Sequence, residues 1–181
     1  MNRIFPLSTT FVLALGLCSA IAGWPTEGYR TMVAAIQNSG NVVLYEGLPH
    51  QETEAAQLQA ELKAKRTKKL HGFPFYEQAL LLKDADSRRL AALVCDARSF
   101  KPTARNDLLG VTKLCGQFHP DYCIEWQSGK QVHRVLVCLG CWEVKFYRGK
   151  TELHCDIQPD AHKKFEAILK PYRKNRPQKK G

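Results

Sequence analysis

The sequence predicts an α+β domain: an antiparallel four-stranded meander packed by a C-terminal helix, with a mixed helix/strand N-terminal half. Three observations carry this. Residues 121–157 hold four short apolar or alternating runs separated by glycine-containing turns, the pattern of consecutive antiparallel strands. Residues 159–169 place Ala161, Phe165, Ile168 and Leu169 on one helical face. The N-terminal half mixes helical and strand patterns without a βαβ rhythm or any internal repeat.

In chain order, residues 26–37 form the first expected helix. Thr26 can cap it, and Tyr29, Val33 and Ile36 share a face. Asn38-Ser39-Gly40-Asn41 ends it. Val42-Val43-Leu44-Tyr45 is β-branched and apolar and reads as a strand that stops near Gly47 and Pro49. Residues 52–69 are rich in Ala, Leu, Glu, Gln and Lys and read as a helix with Leu58 and Leu62 inward. Its outer end carries Lys63, Lys65, Arg66, Lys68 and Lys69, where cations suit the helix dipole without any ligand. Residues 70–76, with Gly72 and Pro74, read as irregular, and residues 77–83 as a strand. Asp84 then caps a helix over residues 85–95 with Leu90, Leu93 and Val94 inward. Residues 99–110 are polar, contain Pro102, and read as a surface loop.

The meander follows. Tyr122, Ile124 and Trp126 alternate with Asp121, Cys123 and Glu125, and Ser128-Gly129-Lys130 turns the chain. Residues 132–138 are more uniformly apolar, as expected of a central strand. Leu139-Gly140 turns again, Trp142, Val144 and Phe146 alternate, and after Arg148-Gly149-Lys150 the fourth strand holds Leu153, Cys155 and Ile157 facing the core. Pro159 suits the first position of the last helix, and Pro171 ends it. Trp126, Trp142 and Phe146 read as core under that helix rather than as a stacking surface for sugars or nucleotides.

The two ends of the chain differ from its middle. Arg3 followed by an uncharged apolar stretch from Leu7 to Ala22, closing on Ala20-Ile21-Ala22, reads as a signal peptide of residues 1–22, with Pro25 soon after. The stretch is shorter than the ~20 residues of a bilayer span. Lipid attachment at Cys18 is a second reading, disfavoured by the bulky Leu17 before it. Export places the mature chain in the periplasm or outside the cell, with no transmembrane segment expected in it. A single domain over residues 23–169 and a basic, flexible tail over residues 170–181 complete the organisation. The whole chain has 27 basic and 17 acidic residues. Lys170, Arg173, Lys174, Arg176, Lys179 and Lys180 fall in the last twelve positions without an acid among them.

Of seven cysteines, Cys18 leaves with the signal peptide. Six remain, an even number in an oxidising compartment, which points to disulfides. The expected pairs are Cys138 with Cys141 across a hairpin tip, Cys115 with Cys123 around a short loop, and Cys95 with Cys155 by elimination; a buried free thiol at Cys155 competes with the last. The CxxC Cys138-Leu139-Gly140-Cys141 admits two further readings. Zinc would need four ligands; without a second CxxC, His119, His133 and His154 would have to substitute, and His119 and His133 join the two cysteines as the candidate set. Thiol–disulfide exchange would need the motif at a helix N-terminus, whereas strand flanks it here. Haem attachment fails because Trp142, not histidine, follows Cys141. No cofactor is therefore expected, with zinc as the alternative.

No GxSxG, HExxH, P-loop or GxGxxG pattern is present, so no catalytic residue is assigned. His119-Pro120-Asp121 brings a base and a carboxylate together and reads as a loop histidine beside a strand-initial aspartate, or, with His133, as a metal or acid–base cluster. The tail residues Lys170, Arg173, Lys174 and Arg176 are the candidate anion-binding set. Their partner would be anionic lipid or a cell-envelope polymer; nucleic acid is disfavoured by export and by the single aromatic, Tyr172, in the tail.

At Gly116-Gln117-Phe118-His119-Pro120-Asp121-Tyr122, at Cys138-Leu139-Gly140-Cys141-Trp142-Glu143-Val144, and over Leu169-Lys170-Pro171-Tyr172-Arg173-Lys174-Asn175-Arg176-Pro177, the chain resembles a group of uncharacterised small exported bacterial proteins. The resemblance spans roughly residues 70 to 177. It implies bacterial export and carries no activity. The sequence thus predicts an exported, disulfide-braced, non-enzymatic binding or structural module, with a zinc or thiol–disulfide protein using Cys138 and Cys141 as the alternative.

Overall fold

A computed structural model describes residues 24–37, 41–103 and 117–177. The first helix, α1 (Glu27–Gln37), buries Tyr29, Met32, Val33 and Ile36, and its cap is the expected one: the Thr26 hydroxyl accepts the Tyr29 N–H at 3.2 Å. Strand β1 (Asn41–Glu46) and helix α2 (Ala55–Ala64) follow. The expected long helix to residue 69 stops early. Lys68 and Lys69 instead lie in strand β2 (Thr67–Leu70), which pairs with β3 (Phe73–Tyr76) in a hairpin of its own. His71 and Gly72 form its two-residue turn at φ 51° and 87°, the left-handed pair such a turn requires. The segment read as irregular is therefore a hairpin. Lys68 is held by a different force from a helix dipole: its ammonium sits 3.2 Å from the centroid of the Tyr45 ring.

Strand β4 is only Leu80–Leu81, within the longer strand expected there. Helix α3 (Asp84–Cys95) buries Leu90, Leu93 and Val94 as expected. A single 3₁₀ turn, Ala97–Ser99, leads to β5 (Phe100–Pro102), a strand at the start of the expected loop. Strands β6 (Tyr122–Ser128), β7 (Gln131–Cys138), β8 (Glu143–Arg148) and β9 (Thr151–Ile157) come next, then α4 (Pro159–Leu169) and a 3₁₀ turn, Lys170–Tyr172.

The four-stranded meander is a correction. Strands β6 to β9 do pair consecutively, but they are the middle of a seven-stranded antiparallel sheet of order β4-β1-β6-β7-β8-β9-β5. Strand β1 pairs with β6 over six residues, from Asn41 opposite Gln127 to Glu46 opposite Tyr122, and β5 covers the other side of β9. Both flanking pairings join segments far apart in the chain, which local alternation cannot announce.

Alternation sorts the sheet into two faces. Helices α1, α3 and α4 cover one of them over Leu44, Ile124, Trp126, Val135, Val137, Val144, Phe146 and Cys155, with Phe165 of α4 packed into the same core. Trp126 and Phe146 are core, as expected, and Cys155 faces that core with Ile157. The β2–β3 hairpin covers the other face over Phe75, Cys123, Leu136 and Tyr147. Trp142 departs from its expected place: it stands in the β7–β8 turn at φ 58°, 42% exposed, and stacks on the His162 ring.

Residues 170–177 are not a solvated tail. The Tyr172 hydroxyl donates to Asp86 at 2.7 Å and accepts the Lys83 N–H at 3.0 Å, and Arg176 is 9% exposed. The last residues of the expected tail, 178–181, and the expected signal peptide lie outside the described residues.

Candidate functional site

One end of the sheet gathers the charged and titratable groups that the core excludes. Alternation along β1 puts Glu46 on the helix-covered face with Leu44, at the strand's last position and 1% exposed. A carboxylate so placed needs donors. It finds three in a row: the backbone N–H groups of Lys174 (3.0 Å), Asn175 (2.6 Å) and Arg176 (3.0 Å). Three consecutive amides on one carboxylate fix the backbone after α4, which turns a basic segment into a rigid part of the fold.

Gly47 follows Glu46 and lets β1 touch the loop that enters β6. Its N–H donates to the Asp121 carbonyl at 2.8 Å, and a Cβ at this position would meet the Pro120 carbonyl oxygen at 2.0 Å. Asp121 then ties three elements together. One carboxylate oxygen accepts the Leu139 N–H at 2.8 Å and the other accepts Arg176 Nη1 at 3.0 Å. The Arg176 Nη2 donates to Glu54, which also accepts the His50 N–H at 2.9 Å. Arg176, Glu54 and Asp121 thus form a buried ion triad, the kind of group that is strongly destabilising when one member is removed.

Two histidines border the triad with ring centroids 4.7 Å apart. The His50 Nδ1 accepts the backbone N–H groups of Glu52 (3.1 Å) and Thr53 (3.4 Å), which places its proton on Nε2; that nitrogen is buried with no hydrogen-bond partner. Burial lowers the His119 pKa to about 4; Asp121 opposes this, while His50 and Arg176 add to it. His119 is therefore neutral at physiological pH.

Cys138 ends β7 beside this cluster. Its sulfur accepts the Cys141 N–H at 3.2 Å and a backbone N–H of His119, yet burial dominates and pushes the thiol up to about 11. It is protonated at neutral pH and a poor nucleophile.

The expected disulfides are corrected. Cys95, Cys123, Cys138 and Cys155 carry free thiols, so Cys138 is not bonded to Cys141, Cys123 is not bonded to Cys115, and Cys95 is not bonded to Cys155. The reasons are positional: Cys123 points under the β2–β3 hairpin, Cys155 points into the helix-covered core, and Cys95 donates its S–H to the Val33 carbonyl at 3.6 Å. Cys141 is the disulfide-bonded one, and none of those four thiols is its partner. Cys115 lies outside the described residues.

The four weighed metal ligands do not converge. His133 sits five residues before Cys138 on β7, roughly 16 Å away along the strand and on the opposite face of the sheet. It is 1% exposed, opposite Trp126 and Arg148, with neither ring nitrogen hydrogen-bonded. Among the described residues no three ligating side chains gather to hold a metal ion.

The candidate anion-binding residues divide by role. Arg176 is consumed inside the triad. Lys170, Arg173 and Lys174 are exposed, and the first two line a cavity of about 560 Å³ with Glu46, Glu54, Asp121 and Glu166. Sequence reasoning found His119 and Asp121 but missed Glu46, His50 and Glu54. A signal was present: Glu46-Gly47-Leu48-Pro49-His50 carries an acid and a histidine around glycine and proline, a composition close to His119-Pro120-Asp121.

No protein-family model, no curated protein and no solved structure matches this chain, so its site is read from its own geometry.

Proposed function

We propose that the chain is an exported, non-enzymatic binding module that docks on anionic envelope surface through Lys170, Arg173 and Lys174. The observation that carries this is the clasp of three amides on Glu46. It holds the backbone beside those cations in place, so binding need not order a loose tail first, a cost that weakens flexible segments. Neither Lys170 nor Arg173 has an ion-pair partner among the described residues. The titratable groups around them are spent on one another: Glu46 on amides, Arg176 on Glu54 and Asp121, and Cys138 as a protonated thiol. That leaves display of charge, rather than acid–base or nucleophilic chemistry, as the property the site offers.

The test is co-sedimentation of the mature chain with vesicles of phosphatidylcholine, alone or mixed equally with phosphatidylglycerol, over a range of salt. Each cation near an anionic surface contributes about 1 kcal/mol. Replacing Lys170, Arg173 and Lys174 together by Ala should weaken binding about a hundredfold, and added salt should weaken wild-type binding. Equal binding to neutral vesicles, or an unchanged triple variant, would sink the proposal. An intact mass beginning at Gly23 in material recovered from the native envelope or medium tests the export half of it.

A further inference from the structure

The opposite end of the sheet holds a second charged cavity, and its balance of charge differs. The β6–β7 turn at Gly129 and the β8–β9 turn at Gly149 lie at this end, both glycines in the left-handed region with open space around them. Together with the tip of the β2–β3 hairpin they border a cavity of about 600 Å³. Its charged walls are Lys130, Arg134, Arg148 and, when protonated, His71, and no carboxylate lines it. The cavity by Arg176, in contrast, sets four carboxylates against three cations.

The groups around this second cavity are held in place. His71 stacks on Tyr147, ring centroids 3.7 Å apart and planes 11° apart, and its Nε2 lies 3.4 Å from Arg134 Nη1. With the guanidinium donating, the neutral ring carries its proton on Nδ1. Arg134 is offset by Glu125 at 2.7 Å, and the nearby Glu152 is committed to Lys145 at 2.8 Å. Lys130 and Arg148 have no carboxylate partner among the described residues; Arg148 is steadied by the Gln131 side-chain oxygen at 3.3 Å, which leaves guanidinium donors over. Two uncompensated cations beside an offset arginine, in a concave wall, focus positive potential where an anion can enter. A fork of guanidinium donors with an ammonium suits a tetrahedral oxyanion.

We propose that this cavity binds a phosphate or sulfate group, with Lys130 and Arg148 as its principal contacts. The volume exceeds that of the bare ion and admits the organic part of an ester.

The test titrates the full mature chain with inorganic phosphate, sulfate and glycerol phosphate at constant ionic strength, with chloride as the control, read by thermal shift and by amide resonances at Gly129, Gly149 and Thr151. Saturable shifts confined to those residues are expected, and Lys130→Gln with Arg148→Gln should weaken the midpoint by about tenfold or more. The Lys170/Arg173/Lys174 triple variant should titrate like wild type. That arm keeps this proposal separate from surface docking: either can fail alone. Binding of glycerol phosphate but not the free ion would assign an ester, as on a lipid headgroup, and the reverse a free anion. Lys130→Gln and Arg148→Gln made singly, with circular dichroism as the fold control, guard against a variant that does not fold. No saturable shift with any of the three ligands, or shifts unchanged in the folded Gln variants, would overturn it.

Discussion

Replacing Glu46 by Ala removes the single acceptor of three backbone N–H groups, and the consequence should be local before it is global. A hydrogen bond to a charged group contributes about 1.5–3 kcal/mol, so the three together have a gross worth above 4 kcal/mol. Two terms reduce the net. The wild type bears the desolvation of a carboxylate that is 1% exposed, which the variant escapes. The freed segment can also lift, letting its amides reach water. We expect a net loss of about 3 kcal/mol from the docking of residues 173–176, or roughly a hundredfold rise in the population of the lifted state. Trypsin reads that population directly. The Arg173–Lys174 and Lys174–Asn175 bonds lie inside the clasp, whereas cleavage after Arg176 is blocked by Pro177. Under native conditions the wild type should resist cutting at both bonds, and Glu46→Ala should be cut there about a hundred times faster while α4 and the sheet survive. Mass spectrometry of the new C-terminus distinguishes these sites from any cleavage further along. Equal rates in the two proteins would show that the clasp does not hold the segment, and the docking proposal would lose its footing with it.

His119 makes stability depend on pH. Its folded pKa, about 4, lies below the ordinary histidine value near 6.5 because the ring is buried, so between these values the unfolded chain binds a proton that the folded chain does not. This contribution is complete above pH ~6.5 and is lost as the pH falls toward 4, up to about 3 kcal/mol at about 1.4 kcal/mol per unit; His71 and His133 are lowered too, by burial first, and act in the same direction. Urea midpoints across that range should fall with pH, less steeply in His119→Asn; a flat wild-type profile, or equal slopes, would contradict the assignment. Alkylation of the unfolded, unreduced chain should label Cys95, Cys123, Cys138 and Cys155 and leave Cys141 unlabelled until reductant is added. In the folded chain Cys123 and Cys155 should be the slowest of these, being fully buried; rapid native labelling of either would refute their placement. Gly47→Ala should lose about 3 kcal/mol or more by denaturant titration, since its Cβ would meet the Pro120 backbone and no flexible side chain can give way; a stable variant would mean that β1 and the Pro120 loop do not meet as described.

How much of this was legible in the sequence depended on the range of the interaction. The helix cap at Thr26, the inward residues of α3, the β6–β9 order and the proline that opens α4 are local or near-local, and periodicity found them. The β2–β3 hairpin was hidden because Lys68 and Lys69 read as a helix end; strand pairing and the Tyr45 ring overrode that propensity. The edges of the sheet were hidden for a different reason. Asn41 lies opposite Gln127 and Pro102 opposite Cys155, and nothing within either short strand names its partner.

The candidate site was half legible for the same physical reason. His119 and Asp121 stood out because they are neighbours, whereas Glu46, Glu54 and Arg176 become a unit only when β1, the start of α2 and the segment after α4 reach one end of the sheet. The cysteines misled because an even count and an expected oxidising compartment do not suffice for pairing. A disulfide also needs its two side chains to meet, with Cβ atoms roughly 4 Å apart; Cys95 packs on the same core as Cys155 yet gives its S–H to the Val33 carbonyl, and the Cys138 sulfur takes the Cys141 N–H instead of its sulfur. The basic segment misled in the other direction. A run of cations reads as solvated when each is judged by its side chain alone, but Glu46 binds this run by its backbone, which every residue type offers. Composition therefore identifies the charge that the segment can show to a partner, and the buried acceptor decides whether that charge is held still. The two can be separated by experiment: replacing Lys170, Arg173 and Lys174 by Ala should weaken docking about a hundredfold and leave the amides of residues 174–176 protected from hydrogen exchange, whereas Glu46→Ala should abolish that protection and leave the charge. If Glu46→Ala binds anionic vesicles as tightly as wild type does, the segment acts by charge alone, and its rigidity serves only the fold.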